Sequence, residues 1–91
     1  MSLADCKTLI QHAFDHGYGV AQVNTNGGMY DLTRTIVEVA EELKAPILLG
    51  AYEANLGYRG FEFAAMVMRS FAEKVDAPVA VHLDHGSSPD V

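Results

Sequence analysis

Apolar residues along the chain follow two spacings, one typical of helices and one typical of buried strands. The helical spacing predicts three helices, over about residues 5–16, 30–44 and 61–74. Short apolar runs predict three strands, over about residues 19–23, 47–50 and 79–83. Residues 24–28 and 52–60 are rich in turn-forming residues and are predicted to be loops.

Local signals at the ends of these segments support the predicted boundaries. Asp5 can cap the first helix and Gly17 can end it. An Ala-Pro pair ends each of the other two helices, at Pro46 and Pro78, directly before a predicted strand. The side chains expected to face the core are Leu9, Ile10, Ala13 and Phe14 in the first helix, Leu32, Ile36, Val39, Ala40 and Leu43 in the second, and Phe63, Met66, Val67 and Phe71 in the third.

A strand, a loop and a helix repeat in that order, which is typical of a parallel α/β sheet. The strands are apolar on both faces, as strands covered by helices on both sides usually are. A closed (β/α)₈ barrel needs about 250 residues. Three strands in a chain of 91 residues therefore indicate part of a barrel or a small open sheet. No linker separates a second domain, so residues 1–91 are expected to belong to one domain.

Charge and cysteine content narrow the possible partners and location. Six Lys and Arg against twelve Asp and Glu give a formal net charge of −6. This acidity argues against nucleic acids and anionic membranes, which bind clustered basic residues. Cys6 is the only cysteine, so no internal disulfide can form, which fits a reducing compartment. With no signal peptide pattern at its start, the protein is expected to be cytoplasmic.

Polar residues follow each predicted strand at its C-terminal end, where active sites of parallel α/β folds form. Asn24 follows the first strand, Glu53 the second, and Asp84 and His85 the third. A neutral imidazole is a good zinc ligand, and a neighbouring carboxylate can transfer protons. One histidine does not make a metal site, however, and His12 and His16 on the outer first helix are expected to be surface residues.

The segment from residue 82 to residue 86, HLDHG, carries the most chemical information. Strand alternation places His82 and Asp84 on one side of the sheet, and Gly86 is expected to let the backbone turn sharply. A purely structural alternative has His82 and Asp84 hydrogen-bonded to each other and capping the next segment.

The stretch VAVHLDHGSS, from Val79 to Ser88, resembles the third-strand signature of class II, zinc-dependent fructose-1,6-bisphosphate aldolases. GYGVAQVNTN resembles the first strand of that family, with its Asn-x-Asn. IVEVAEELKAPILLG and GFEFAAMVMRSFAEKVDAPVAVHLDHG resemble its second and third units, so the likeness covers nearly the whole chain. Relatives in this family include tagatose-bisphosphate aldolases and the aldolase of inositol breakdown.

The resemblance implies a TIM barrel, of which this chain supplies an N-terminal helix and the first three strands. It implies that His85 is a Zn²⁺ ligand, that Asp84 is the catalytic acid/base, and that Asn24 binds substrate. His82 would orient Asp84 or pack beneath the metal. The implied reaction is reversible cleavage of a ketose (bis)phosphate, fructose-1,6-bisphosphate first of all, to dihydroxyacetone phosphate and an aldehyde. The full-length protein would be a homo-oligomer, a dimer or a tetramer.

One position departs from the family pattern. Many relatives carry a Ser-x-Gly-Ala loop after the second strand, where this chain has Tyr52-Glu53-Ala54-Asn55. Tyr52 is either a replacement hydrogen-bond donor or a packed loop residue, and the fructose-bisphosphate assignment is weakened accordingly. The isolated chain is expected to be inactive, because the other zinc ligands lie outside it. Two alternatives stay open, namely a non-catalytic barrel fragment and a different zinc-dependent barrel enzyme such as a hydrolase.

Overall fold

Seven helices and strands follow one another in residues 3–88, the part of the chain that the computed structural model describes. In chain order they are α1 (Cys6–His16), β1 (Gln22–Asn24), α2 (Tyr30–Leu43), β2 (Ile47–Tyr52), α3 (Glu53–Arg59), α4 (Phe61–Ala72) and β3 (Val79–Asp84). Pro89, Asp90 and Val91, at the end of the predicted single domain, lie outside the described residues, as do Met1 and Ser2.

The three strands form one parallel sheet in the order β1-β2-β3, as the repeating pattern predicts. In the register, Asn24 lies beside Gly50, and Gly50 beside His82. Two residues further along, Tyr52 lies beside Asp84. The polar ends of the strands therefore meet at the same edge of the sheet.

The two faces of the sheet belong to two separate apolar clusters. We call one face the α1 face, because α1 covers the part of it that lies near the N-terminal ends of the strands. There Leu48 and Ala80 pack against Leu9. Register and alternation give the α1 face these residues: Gln22, Asn24, Leu48, Gly50, Tyr52, Ala80, His82 and Asp84. The opposite face packs under the other helices, in a cluster of Val37, Leu49, Ala51, Leu56, Ala64, Met68, Ala72 and Val79.

Helix α1 begins and ends where the sequence predicts. The Asp5 carboxylate accepts the Thr8 backbone N–H at 2.8 Å, the usual N-cap hydrogen bond. That hydrogen bond holds the pKa of Asp5 below its ordinary value. Gly17 ends the helix with a φ of 71°, a left-handed conformation that glycine adopts without steric cost.

The predicted inner faces of the helices are wrong in part. In α1, Leu9 is buried, but Ile10 and Phe14 are exposed. In α2, Val39 and Leu43 are 46% and 69% exposed. The α2 residues that are buried instead are Thr33 and Val37, together with the predicted Ala40. In α4 the buried set is Ala64, Val67, Met68 and Ala72, whereas Phe63 and Met66 are exposed.

Residues 52–60 do not form the predicted loop. They continue β2 to Tyr52 and then form the seven-residue helix α3. Asn55 and Gly57 are poor helix formers, which is why the sequence indicates a loop. Leu56 is buried in the core cluster beneath the helices, and this packing outweighs the unfavourable local propensity.

Backbone contacts join the residues before α1 to β3. Leu3 forms a parallel bridge with Val79, and the Ala4 N–H donates to the Val79 carbonyl at 2.8 Å. Across residues 3–88, every helix falls short of the length and apolar character that a membrane span requires.

Candidate active site

The loop after β1 is built around a buried threonine. Thr25 is fully buried, and its hydroxyl donates to the Gly50 carbonyl at 2.8 Å and accepts the Gly28 N–H at 2.9 Å. Its backbone N–H also donates to the Gly50 carbonyl, at 2.9 Å. These hydrogen bonds fix the loop to the middle of β2. Asn24, directly before Thr25, therefore has a defined position.

Two glycines let this loop lie directly against the helices. A Cβ on Gly27 would lie 2.9 Å from the Asn55 carbonyl oxygen, and one on Gly28 would lie 2.8 Å from the Ala64 Cα. Both glycines have a positive φ, of 77° and 78° respectively. The Arg59 Nε adds a hydrogen bond of 2.7 Å to the Asn26 carbonyl. The sequence indicates only a turn here, although two adjacent glycines are a signal of close packing.

Asn24, predicted to bind substrate, lies exposed on the α1 face at the end of β1. Its Oδ1 accepts the Asn26 backbone N–H at 2.9 Å. Within residues 3–88 the Asn24 Nδ2 group makes no hydrogen bond. The fixed Oδ1 therefore orients the amide, and its Nδ2 can donate to a ligand oxygen.

Asp84 and His85, predicted to be the acid/base and the metal ligand, lie together at the end of β3. The His85 Nε2 is 3.8 Å from an Asp84 carboxylate oxygen, and the two side chains are 72% and 44% exposed, His85 being the more exposed. Directly before Gly86, where the sequence predicts a turn, His85 has a left-handed backbone conformation with a φ of 56°. This conformation costs about 1–2 kcal/mol in a residue with a Cβ. The same conformation occurs at Lys44, the C-cap of α2, but His85 adopts it outside any helix end.

His82, predicted to support Asp84, belongs to the same α1 face because it lies two residues earlier in β3. Within the described residues no hydrogen bond joins His82 to Asp84. The structural alternative, in which these two side chains bond to each other, is therefore not what the structure has.

The end of β2 contacts the turn after β3 at two points. The Tyr52 ring lies edge-on to the His85 ring, with 5.3 Å between ring centroids. The Glu53 carboxylate accepts two hydrogen bonds from Ser87, from its N–H at 3.1 Å and its hydroxyl at 2.8 Å. From the sequence, Glu53 is only a polar residue after a strand and Ser87 is not a predicted site residue, because nothing in the local pattern pairs positions so far apart.

The imidazole and the carboxylate at this edge are donor groups of the kinds that zinc binds. In residues 3–88 no three His, Cys, Asp or Glu side chains lie close enough to hold an ion. Neither His85 ring nitrogen makes a hydrogen bond in that range, so the imidazole is available as a ligand. His12 and His16 are exposed surface residues as predicted. The Nδ1 of His12 contacts the Tyr18 hydroxyl at 2.6 Å, and the Nδ1 of His16 contacts the His12 carbonyl at 2.9 Å.

Comparison with known sequences relates the chain to aldolases. The model of the family described as fructose-bisphosphate aldolase class-II matches residues 4–91. A fructose-bisphosphate aldolase of Thermus caldophilus is 42% identical over 80 residues, which are 88% of this chain and 25% of that protein. A 6-phospho-5-dehydro-2-deoxy-D-gluconate aldolase of Bacillus licheniformis is 34% identical over 93 residues, covering 99% of this chain and 31% of that protein.

Comparison with solved structures confirms the predicted fold. The crystal structure of the YdjI aldolase from Escherichia coli K12 superposes with a TM-score of 0.81 at 28% identity, covering 98% of this chain and 34% of that one. The chain thus has the fold of the N-terminal helix and first three strands of a TIM barrel, and it spans a quarter to a third of the length of the relatives it matches. This chain belongs to the class II fructose-bisphosphate aldolase family.

Proposed function

We propose that the polypeptide encoded by the gene is a zinc-dependent aldolase that reversibly cleaves a ketose (bis)phosphate. The observation that carries the proposal is the placement of Asp84 and His85. They lie side by side at the C-terminal edge of the sheet, with Asn24 on the same face. This is the edge at which barrel enzymes build their active sites.

Each of the three residues has a role that fits its contacts. Asp84, whose carboxylate makes no hydrogen bond in residues 3–88, takes the proton from the C4 hydroxyl of the substrate during cleavage and returns it during condensation. His85 supplies one imidazole ligand, and Asn24 donates its amide N–H to a substrate oxygen. The Zn²⁺ ion, when bound, supplies Lewis-acid polarisation of the ketone. The proposal gives His82, two residues before Asp84 on the same face of β3, the role of orienting Asp84.

We propose that residues 1–91 are the N-terminal part of one barrel domain, and that later strands supply the other ligands. Zinc needs three or four protein ligands, and this chain offers one imidazole at the edge. The isolated chain should therefore be inactive. The family resemblance also favours a cytoplasmic homo-oligomer, a dimer or a tetramer.

Fructose-1,6-bisphosphate is the first substrate to test, because relatives are named fructose-bisphosphate aldolase or probable fructose-bisphosphate aldolase. A relative of similar identity is named for a phosphorylated deoxy sugar acid, so the substrate class is wider than one sugar. Tyr52 bears on the choice. Its ring lies edge-on to the His85 ring, in the loop where the family resemblance leads us to expect a serine, so it stands beside the proposed metal ligand.

The test uses the full gene product, assayed for cleavage of ketose phosphates with zinc content measured in parallel. Asp84→Ala should lower kcat by about 10²–10⁴-fold, the usual contribution of a general acid/base, while zinc stays bound. His85→Ala should lose both zinc and turnover. Asp31→Ala and His16→Ala are matched controls, since they remove an exposed carboxylate and an exposed imidazole from helices α2 and α1.

Full cleavage activity in Asp84→Ala would contradict the acid/base role. Full zinc content in His85→Ala would contradict the ligand role. Release of product from an ester or amide, with ketose phosphates left intact, would point to a hydrolase on the same fold.

A further inference from the structure

We infer that Glu53 is a positioning residue of this active site, which acts through Ser87 to hold Asp84 and His85 in place. The inference rests on the proposed function, because it assigns Glu53 a role in a site that binds zinc and substrate. It adds a residue that neither contacts the substrate nor binds the metal, and that lies on a different strand-helix unit from the residues it positions.

The segment that carries Asp84 and His85 needs an external support. Strand β3 ends at Asp84, and residues 85–88 belong to no helix or strand. His85 has a left-handed φ of 56° although it is not glycine, and its side chain is largely exposed, so burial does not hold it there. An unfavourable backbone conformation persists only where neighbouring contacts fix it.

Glu53 provides such contacts, and its own backbone is held in place by the sheet and the core. It is the first residue of α3 and directly follows Tyr52, which lies beside Asp84 in the sheet. Leu56, one helical turn on, is buried in the core and anchors α3. The base of the Glu53 side chain is therefore fixed relative to the last residue of β3.

The Glu53 carboxylate then holds Ser87 with both oxygens. One oxygen accepts the Ser87 N–H at 3.1 Å and the other accepts the Ser87 hydroxyl at 2.8 Å. Hydrogen bonds to a carboxylate are about twice as strong as those between neutral groups. With Asp84 fixed by β3 and Ser87 fixed by Glu53, the two residues between them have both ends held. The edge-on contact between the Tyr52 and His85 rings is a further contact from the end of β2 to this turn.

The experiment compares variants of the full gene product by zinc affinity, kcat and KM, and amide hydrogen exchange at Ser87. Glu53→Ala should weaken zinc binding and lower kcat by about 10–100-fold, the usual effect of removing a partner that orients a ligand. KM should change less than kcat, because Glu53 does not contact the substrate. Exchange at the Ser87 amide should become faster.

Three further variants distinguish a positioning role from a purely structural one. Glu53→Gln keeps the shape and can still pair with both Ser87 groups without the charge, so it should lose less than Glu53→Ala. Ser87→Ala should reduce zinc affinity in the wild type and have no further effect in Glu53→Ala, as expected for two members of one interaction. Glu62→Ala is the matched control, since Glu62 is an exposed acid in the first turn of α4.

A zinc-binding, active wild type whose Glu53→Ala variant keeps the same zinc affinity and kcat would overturn the inference, even if its melting temperature falls. If Glu53→Ala does not fold, Ser87→Ala and Glu53→Gln decide the question by the same measurements, and unchanged zinc affinity and kcat in both would also overturn it. A wild type that neither binds zinc nor cleaves any ketose phosphate contradicts the proposed function itself, and this outcome is distinct from the others.

Discussion

Gly28 is the position at which the loop after β1 depends most clearly on the absence of a side chain. Its φ is 78°, and a Cβ there would lie 2.8 Å from the Ala64 Cα and 3.0 Å from the Ala64 carbonyl oxygen. Those are backbone atoms of α4, which cannot rotate away as the end of a long side chain could. Gly28→Ala must therefore move either the loop or the helix.

The expected loss of stability has two parts. The left-handed conformation costs a residue with a Cβ about 1–2 kcal/mol. Forcing one extra carbon into a packed contact adds about 1–3 kcal/mol. Gly28→Ala should therefore lower the free energy of unfolding by about 2–5 kcal/mol, a large part of the roughly 5–15 kcal/mol by which folded proteins are stable.

Gly17→Ala is the matched control for this prediction. Gly17 has a similar φ of 71°, but a Cβ there would meet no atom within 4 Å. Both variants lose the same freedom in the unfolded chain, so the difference between them isolates the contact with α4. Urea unfolding of the full gene product, followed by circular dichroism, gives the free energy of unfolding of each variant. The two values can be compared if the free energy falls with urea concentration at the same slope in both variants. A Gly28→Ala variant no less stable than Gly17→Ala would refute the close approach of this loop to α4.

Three other predictions concern the core and the cysteine. Thr25→Val should destabilise the protein by about 1–3 kcal/mol in urea unfolding, because the buried Gly28 N–H loses its acceptor, whereas Thr25→Ser keeps the hydroxyl and most of the stability. Leu49→Ala should cost about 2–5 kcal/mol, since Leu49 is fully buried. A Leu49→Ala variant as stable as the wild type would contradict its place in the core. Burial raises the pKa of the Cys6 thiol, so less thiolate forms at pH 8 in the native protein. A thiol reagent should therefore react with Cys6 faster in urea than in the native protein. Equal reaction rates would contradict the burial of Cys6.

Local pattern predicted six of the seven helices and strands in their correct order, all but α3. That order depends on the periodicity of apolar residues and on the glycines and prolines that end each segment. Asp5 and Gly17 end α1 as predicted, because capping is a property of a few neighbouring residues. The alternation of His82, Leu83 and Asp84 likewise follows from the geometry of a single strand. The HLDHG segment, together with the matching pattern before it, indicated the family, which the comparison then confirmed.

The faces that the helices bury were not predictable in this way. In α2 the large apolar residues Val39 and Leu43 remain exposed, while the smaller Thr33 and Ala40 lie inside. An apolar pattern reports every surface that a helix can bury, and a three-stranded sheet covers only some of those surfaces. The helix α3 was missed for a related reason, because the packing of Leu56 outweighs the poor helix propensity of Asn55 and Gly57.

Only the tertiary structure brought together Glu53 and Ser87, and only it showed the left-handed backbone of His85. Parallel strands are joined through helices, so residues that meet at one edge of the sheet lie far apart in sequence, as Glu53 and Ser87 do with a separation of 34. Periodicity and local propensity act over a few residues and hold no information about such pairs. The chain thus determined which chemical groups reach the edge of the sheet, and the packing of its strand-helix units decided which of them touch.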